Sequence, residues 1–129
     1  MSETGAEPSV FSRIVAREIP ATIVAETDRI IAFTDINPQA PVHVVVTTKT
    51  EVYRNVVELA AGDPGLLAEL IAVAGRVATE LSDGQFRLVF NTGAAAGQTV
   101  FHVHAHVLAQ KPATDPSTGS LGEGTLGSV

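Results

Sequence analysis

The stretch His102-Val103-His104-Ala105-His106-Val107 limits what this chain can fold into more than any other. In extended backbone, successive side chains point to opposite faces, so the three imidazoles share one face and Val103, Ala105 and Val107 share the other. Wound into a helix of about 3.6 residues per turn, His104 would face away from its two partners and polar rings would sit on both sides. The pattern predicts a strand with an apolar face toward a core and an imidazole face toward a site. Three of the chain's four histidines crowd into this stretch, and a structural role for each ring taken singly does not account for that density.

The remaining elements follow from periodicity and turn chemistry. Val10, Phe11, Ile14 and Val15 recur at helical spacing, and the segment ends at Pro20, which predicts a short first helix. Residues 22–25, 29–34 and 42–48 are rich in β-branched side chains and read as strands, with Thr27-Asp28 as a turn and residues 35–41 as a loop. Residues 52–81 read as helix, broken at Gly62-Asp63-Pro64-Gly65, so that Asp63 caps a long second segment with Pro64 at its first position. A strand over 86–91, a glycine-rich loop over 92–99 and a last strand from Val100 to about Ala109 complete the pattern. Strands on both sides of one helical block disfavour alternating β-α units and predict an antiparallel α+β domain over residues 9–111. Residues 1–8 and 112–129, polar and rich in Gly, Ser, Thr and Pro, read as flexible tails.

Composition narrows the chemistry. A net charge of −6 with eight Lys and Arg argues against a non-specific grip on long nucleic acid, although a small anionic ligand remains open. Without cysteine, disulfides and thiolate zinc sites are excluded. No apolar run is long enough for a membrane span and the N-terminus lacks a secretory pattern, so the expected location is cytoplasmic. By spacing alone the histidines support two readings: imidazoles that bind a metal, or a central imidazole that attacks phosphorus while its neighbours orient it. The loop Asn91-Thr92-Gly93-Ala94-Ala95-Ala96-Gly97-Gln98-Thr99 favours the second, because glycines let backbone approach a ligand and exposed N–H groups can nest an anion.

Residues 35–43 (DINPQAPVH) and 97–108 (GQTVFHVHAHVL) resemble the histidine-triad superfamily, whose signature alternates histidine with apolar residues. Residues 10–21 (VFSRIVAREIPA) are similar to the Hint branch, the purine nucleoside phosphoramidases. The resemblance implies a five-stranded antiparallel sheet with helices packed on one side, and a homodimer with a continuous ten-stranded sheet. It also implies a purine nucleotide substrate, no cofactor and no metal. His104 matches the nucleophile that becomes transiently nucleotidylated. His43 and His106 match flanking phosphate contacts, and His102 matches the residue that helps fix the nucleophile's orientation. Asn91, Gly97, Gln98 and Thr99 match the phosphate-side loop, with Thr99 where Ser is usual, and Val100 beside them is expected to bind substrate. Asp35 matches the carboxylate that accepts from ribose hydroxyls, and Phe11, Ile14, Ile19, Phe33 and Ile36 match the walls around the base. Some relatives carry zinc-binding cysteines near the first helix; Ser9-Val10-Phe11-Ser12 has none, so no structural zinc is expected. Hydrolysis of dinucleoside polyphosphates, nucleotide binding without turnover, and metal binding stand as alternatives.

Overall fold

Five strands form one antiparallel sheet in the computed structural model, which describes residues 7–111. They are β1 (Ile23–Glu26), β2 (Ile30–Thr34), β3 (Val42–Thr48), β4 (Arg87–Val89) and β5 (His104–Ala109), and their order across the sheet is β1-β2-β3-β5-β4. The helices are α1 (Val10–Val15), α2 (Val56–Gly62) and α3 (Pro64–Leu81), with a 3₁₀ turn at Ala94–Ala96. The expected tails lie outside the described residues, except for Glu7 and Pro8.

Local rules explain where the helices begin. Asp63 caps α3, its Oδ1 accepting from the Leu66 N–H at 3.0 Å, with Pro64 at a position that needs no backbone donor. The helix expected from Val52 starts only at Val56, because Asn55 caps it by accepting from Glu58 N–H at 2.9 Å. Residues 50–55 are thereby left as a loop, and the Tyr53 carbonyl accepts from Val103 N–H.

Alternation divides the sheet into two faces. Ile30, Ala32, Val44, Val46, Ala105 and Val107 pack against Leu66, Leu70, Val73, Ala74 and Val77 of α3. Complete burial of each larger side chain contributes about 1.5–3 kcal/mol. Ile31, Phe33 and Val45 point the other way, onto Phe11 and Ile14 of α1. All seven residues of β3 are buried, since this central strand is covered on both faces. The long helix thus occupies one side as expected, while α1 departs from that expectation and covers the opposite side. No helix among the described residues is long and apolar enough to cross a membrane.

Two strands are shorter than their sequence suggests. The strand expected over 86–91 pairs only at Arg87–Val89, and that expected from Val100 begins at His104. Residues 100–103 leave the ladder because their polar groups find other partners: Val103 N–H donates to Tyr53 and its carbonyl accepts from the Thr47 hydroxyl at 2.7 Å.

Candidate active site

The register of β3 against β5 assembles the site. Thr47 pairs with His104, Val45 with His106 and His43 with Leu108, so His43 is the diagonal neighbour of His106 on the same face. Their ring centroids are 5.1 Å apart, as are those of His104 and His106. Phe11 of α1 lies edge-on to His104 at 4.8 Å and to His102 at 5.6 Å.

Hydrogen-bond partners assign the tautomer of every ring. Gln39 N–H donates to His43 Nδ1 at 2.9 Å, so the proton of neutral His43 sits on Nε2, from which it reaches His106 Nδ1 at 2.9 Å. His106 then carries its own proton on Nε2. His104 Nδ1–H donates to the His102 carbonyl at 2.8 Å, which leaves Nε2 as an unprotonated lone pair. The His102 ring donates from Nε2 to the Thr48 carbonyl at 2.6 Å and accepts at Nδ1 from the Ser9 hydroxyl.

All four imidazoles are pushed toward the neutral form. Burial is the principal cause in each case, and for His106 the neighbouring His104 and His43 add to it, bringing that ring down to about 4. A neutral His104 with a free Nε2 can act as a nucleophile at neutral pH without a base to activate it.

His104 and His106 open onto a cavity of about 870 Å³. Its apolar walls include Phe11, Ile14, Ile19 and Phe33, and its polar rim includes Asp35, Asn91 and Thr99. Gly97, Val100 and Ile36 also line it, the last being 99% exposed, so Ile36 forms an open lip rather than a packed wall. Val10, Pro20, Ala21, Thr22, Thr34 and Val45 line the cavity too and were missed from the sequence. For Val45 the signal was available, since it stands two residues from His43 on the same face.

Four sequence-predicted residues have roles that only the structure specifies. Gln98 is buried and faces inward: its Nε2 donates to the carbonyls of Arg54 and Val100, and its Oε1 accepts from Gly93 N–H. It braces the loop instead of lining the cavity, which corrects its expected place on the substrate. His102 is fully buried and does not line the cavity; the part of it that meets His104 is the backbone carbonyl. His43 is also behind the cavity wall, reaching it through His106. Asp35 serves two ends: Oδ1 accepts from Asn37 N–H at 2.8 Å as a turn cap, and Oδ2 lies 3.4 Å from His43 Nε2.

The glycine loop also differs from the expected anion nest. The N–H groups of Gly93, Ala96, Gly97 and Gln98 are all bonded within the loop. Gly93 and Gly97 instead supply the positive φ angles, 93° and 96°, that turn the chain around the 3₁₀ segment and bring Gly97 to the cavity edge. Among the described residues, the Thr99 hydroxyl makes no hydrogen bond, which leaves it available at the rim.

Asp35, His43 and His106 are the described residues whose ligand atoms, all within 4.8 Å of one another, have the spacing for a cation. Their chemistry fits one less well than the spacing suggests, because the His43–His106 hydrogen bond already uses a ring nitrogen of each.

Comparison with known proteins agrees with this architecture. The HIT domain family matches residues 16–113. A HIT-like protein of Synechocystis sp. is 49% identical over 115 residues, spanning 86% of this chain and 97% of that protein. The purine nucleoside phosphoramidase of Escherichia coli K12 is 37% identical over 109 residues, spanning 83% and 91%. Among solved structures, a HIT family hydrolase from Clostridium thermocellum is 42% identical with a TM-score of 0.75, over 81% of this chain and 91% of that one. A histidine triad protein from Clostridium difficile is 34% identical with a TM-score of 0.73, over 86% and 95%. With its sheet order, its histidine strand and these matches in agreement, the chain belongs to the HIT family.

Proposed function

We propose that this protein hydrolyses purine nucleoside 5′-phosphoramidates through a nucleotidyl intermediate on His104. The carrying observation is the fixed tautomer of His104, whose Nδ1–H is held by the His102 carbonyl while Nε2 is unprotonated beside the cavity. In the first displacement Nε2 forms a bond to the α-phosphorus, and the phosphorus–nitrogen bond breaks as the departing nitrogen takes up a proton. The substituted ring is then cationic, and its Nδ1–H donates more strongly to the same carbonyl. In the second displacement the water oxygen bonds to phosphorus as the phosphorus–Nε2 bond breaks. The water releases to solvent one proton, which balances the one taken up by the departing nitrogen, and nucleoside monophosphate leaves with neutral His104 restored.

The surrounding groups supply binding and charge stabilisation. His106 Nε2–H and the Thr99 hydroxyl are donors for the phosphoryl oxygens, and the Asp35 carboxylate is an acceptor for ribose hydroxyls. Phe11, Ile14, Ile19 and Phe33 offer apolar surface to the base. The similarity to a protein named purine nucleoside phosphoramidase supports the substrate class. A cytoplasmic location and a homodimer joined at a sheet edge belong to the same reading; light scattering at micromolar concentration tests the dimer.

Incubating wild type and His104→Ala with adenosine 5′-phosphoramidate, followed by acid quench and mass analysis, tests the mechanism. Adenylate on the wild type alone is the expected result. Binding of AMP without labelling or turnover would instead make the protein a nucleotide-binding module. Faster cleavage of diadenosine triphosphate than of the phosphoramidate would reassign the substrate. Because Asp35, His43 and His106 have a cation's spacing, activity is also measured in EDTA, and its loss would favour the metal reading.

A further inference from the structure

The N-terminal turn of α1 and the loop after β3 meet behind the histidines in a hydrogen-bonded cluster that the proposed chemistry does not use. Glu51 Oε1 accepts from Ser9 N–H at 3.0 Å and from the Ser12 hydroxyl at 2.5 Å. Ser9 Oγ accepts in turn from Ser12 N–H at 3.1 Å, as the cap of α1. The Ser9 hydroxyl proton goes to His102 Nδ1, 2.5 Å away, in preference to Ser12 Oγ at 3.5 Å. His102 Nε2–H is committed to the Thr48 carbonyl, so its Nδ1 can only accept. That ring is completely buried, where an imidazole nitrogen without a partner is costly.

We propose that Glu51 and Ser9 are positioning residues for His104, holding the buried His102 ring in one tautomer and one place so that its carbonyl aims the nucleophile. The path is continuous: Glu51 fixes the Ser9 backbone, Ser9 fixes the His102 ring, and the His102 carbonyl receives His104 Nδ1–H. Each hydrogen bond constrains the next donor or acceptor. Neither Glu51 nor Ser9 lines the cavity. Glu51 is exposed, so removing its carboxylate leaves no buried group and spares the core.

The inference rests on His104 being the nucleophile, and its test separates the two. Glu51→Ala is expected to lower kcat on adenosine 5′-phosphoramidate by about tenfold, with KM within about twofold, because a misaimed nucleophile affects the chemical step. Glu51→Gln keeps an acceptor oxygen and is expected to recover wild-type kcat. If Glu51 served only to brace α1, whose Phe11 and Ile14 line the cavity, KM would rise and kcat would hold. That outcome, or a Glu51→Gln protein as slow as Glu51→Ala, overturns the proposal.

Ring-nitrogen NMR of the resting protein supplies an arm independent of turnover. The His104 Nδ1–H signal is expected to be slow to exchange in wild type and Glu51→Gln, and lost to solvent exchange in Glu51→Ala and Ser9→Ala. Its persistence in both alanine variants overturns the positioning role. Absence of phosphoramidate turnover in wild type would instead fail the proposed function while the NMR comparison still decides the positioning.

Discussion

The two faces of the sheet are built from the same strands and do different work. Toward α3 the contacts are aliphatic, with Val44, Val46, Ala105 and Val107 against Leu70, Val73 and Val77. Toward α1 the packing is incomplete: Ile31, Phe33 and Val45 meet only two buried side chains of a six-residue helix, and a cavity of about 870 Å³ remains. The comparison shows how one chain separates stability from chemistry. A strand with period two gives each face its own composition, so imidazoles on one side do not interrupt the core on the other.

The largest effect expected from this division is on activity. His104→Ala should lower phosphoramidate turnover by at least about a thousandfold, the order seen when a nucleophile is removed, with little change in thermal midpoint. Steady-state kinetics and a melting curve on one preparation check both halves. A large loss of stability would mean that the imidazole face also holds the fold together.

Leu70→Ala addresses the other face. Leu70 is fully buried, and its truncation should destabilise the protein by about 2–5 kcal/mol in denaturant unfolding. Turnover per folded molecule should be unchanged under native conditions. A matching loss of kcat would show that the faces are coupled.

Acid should weaken the imidazole face first. His106 falls to about 4 in the folded protein from an ordinary value of 6.5, so between those values the unfolded chain binds more protons than the native one. Its contribution is complete above about 6.5 and is lost as pH drops toward 4. Urea titrations at pH 7 and pH 4.5 should show this loss, and His106→Gln should reduce it. The acid limb of activity should also fall below 6.5, because His104 is lowered by burial as well.

The smallest effect concerns the loop. A Cβ on Gly93 would meet nothing within 4 Å, so Gly93→Ala is strained by its φ of +93° alone. With ψ at 152° this backbone is one that glycine alone adopts readily, and a destabilisation of about 1–3 kcal/mol is expected in denaturant unfolding. A larger loss would mean that the loop is coupled to the core through Gln98, which bridges Gly93 to Arg54.

Much of this arrangement is legible in the sequence. Alternation in residues 102–107 marked the face that carries His104 and His106, and Asp63-Pro64 marked the start of α3. Gln98 was misplaced because sequence reports that an amide sits beside a glycine loop but not which way it points. Here its three hydrogen bonds to Gly93, Arg54 and Val100 are made inward. The loop amides were misread for a similar reason: glycine predicts backbone freedom, and the closed 3₁₀ turn then uses the N–H groups.

The features legible in the sequence are periodic and local: which residues share a face, that Asp63 caps the long helix, and that an imidazole cluster stands on one strand. Those properties depend on backbone geometry over a few residues. The partners that lie far apart in the chain are set by the folded arrangement. His43 meets His106 through the β3–β5 register, Ser9 meets His102 from 93 residues away, and α1 lies on the face opposite α3. The protonation pattern of the histidines depends on those partners and on burial, neither of which is a property of short segments of chain.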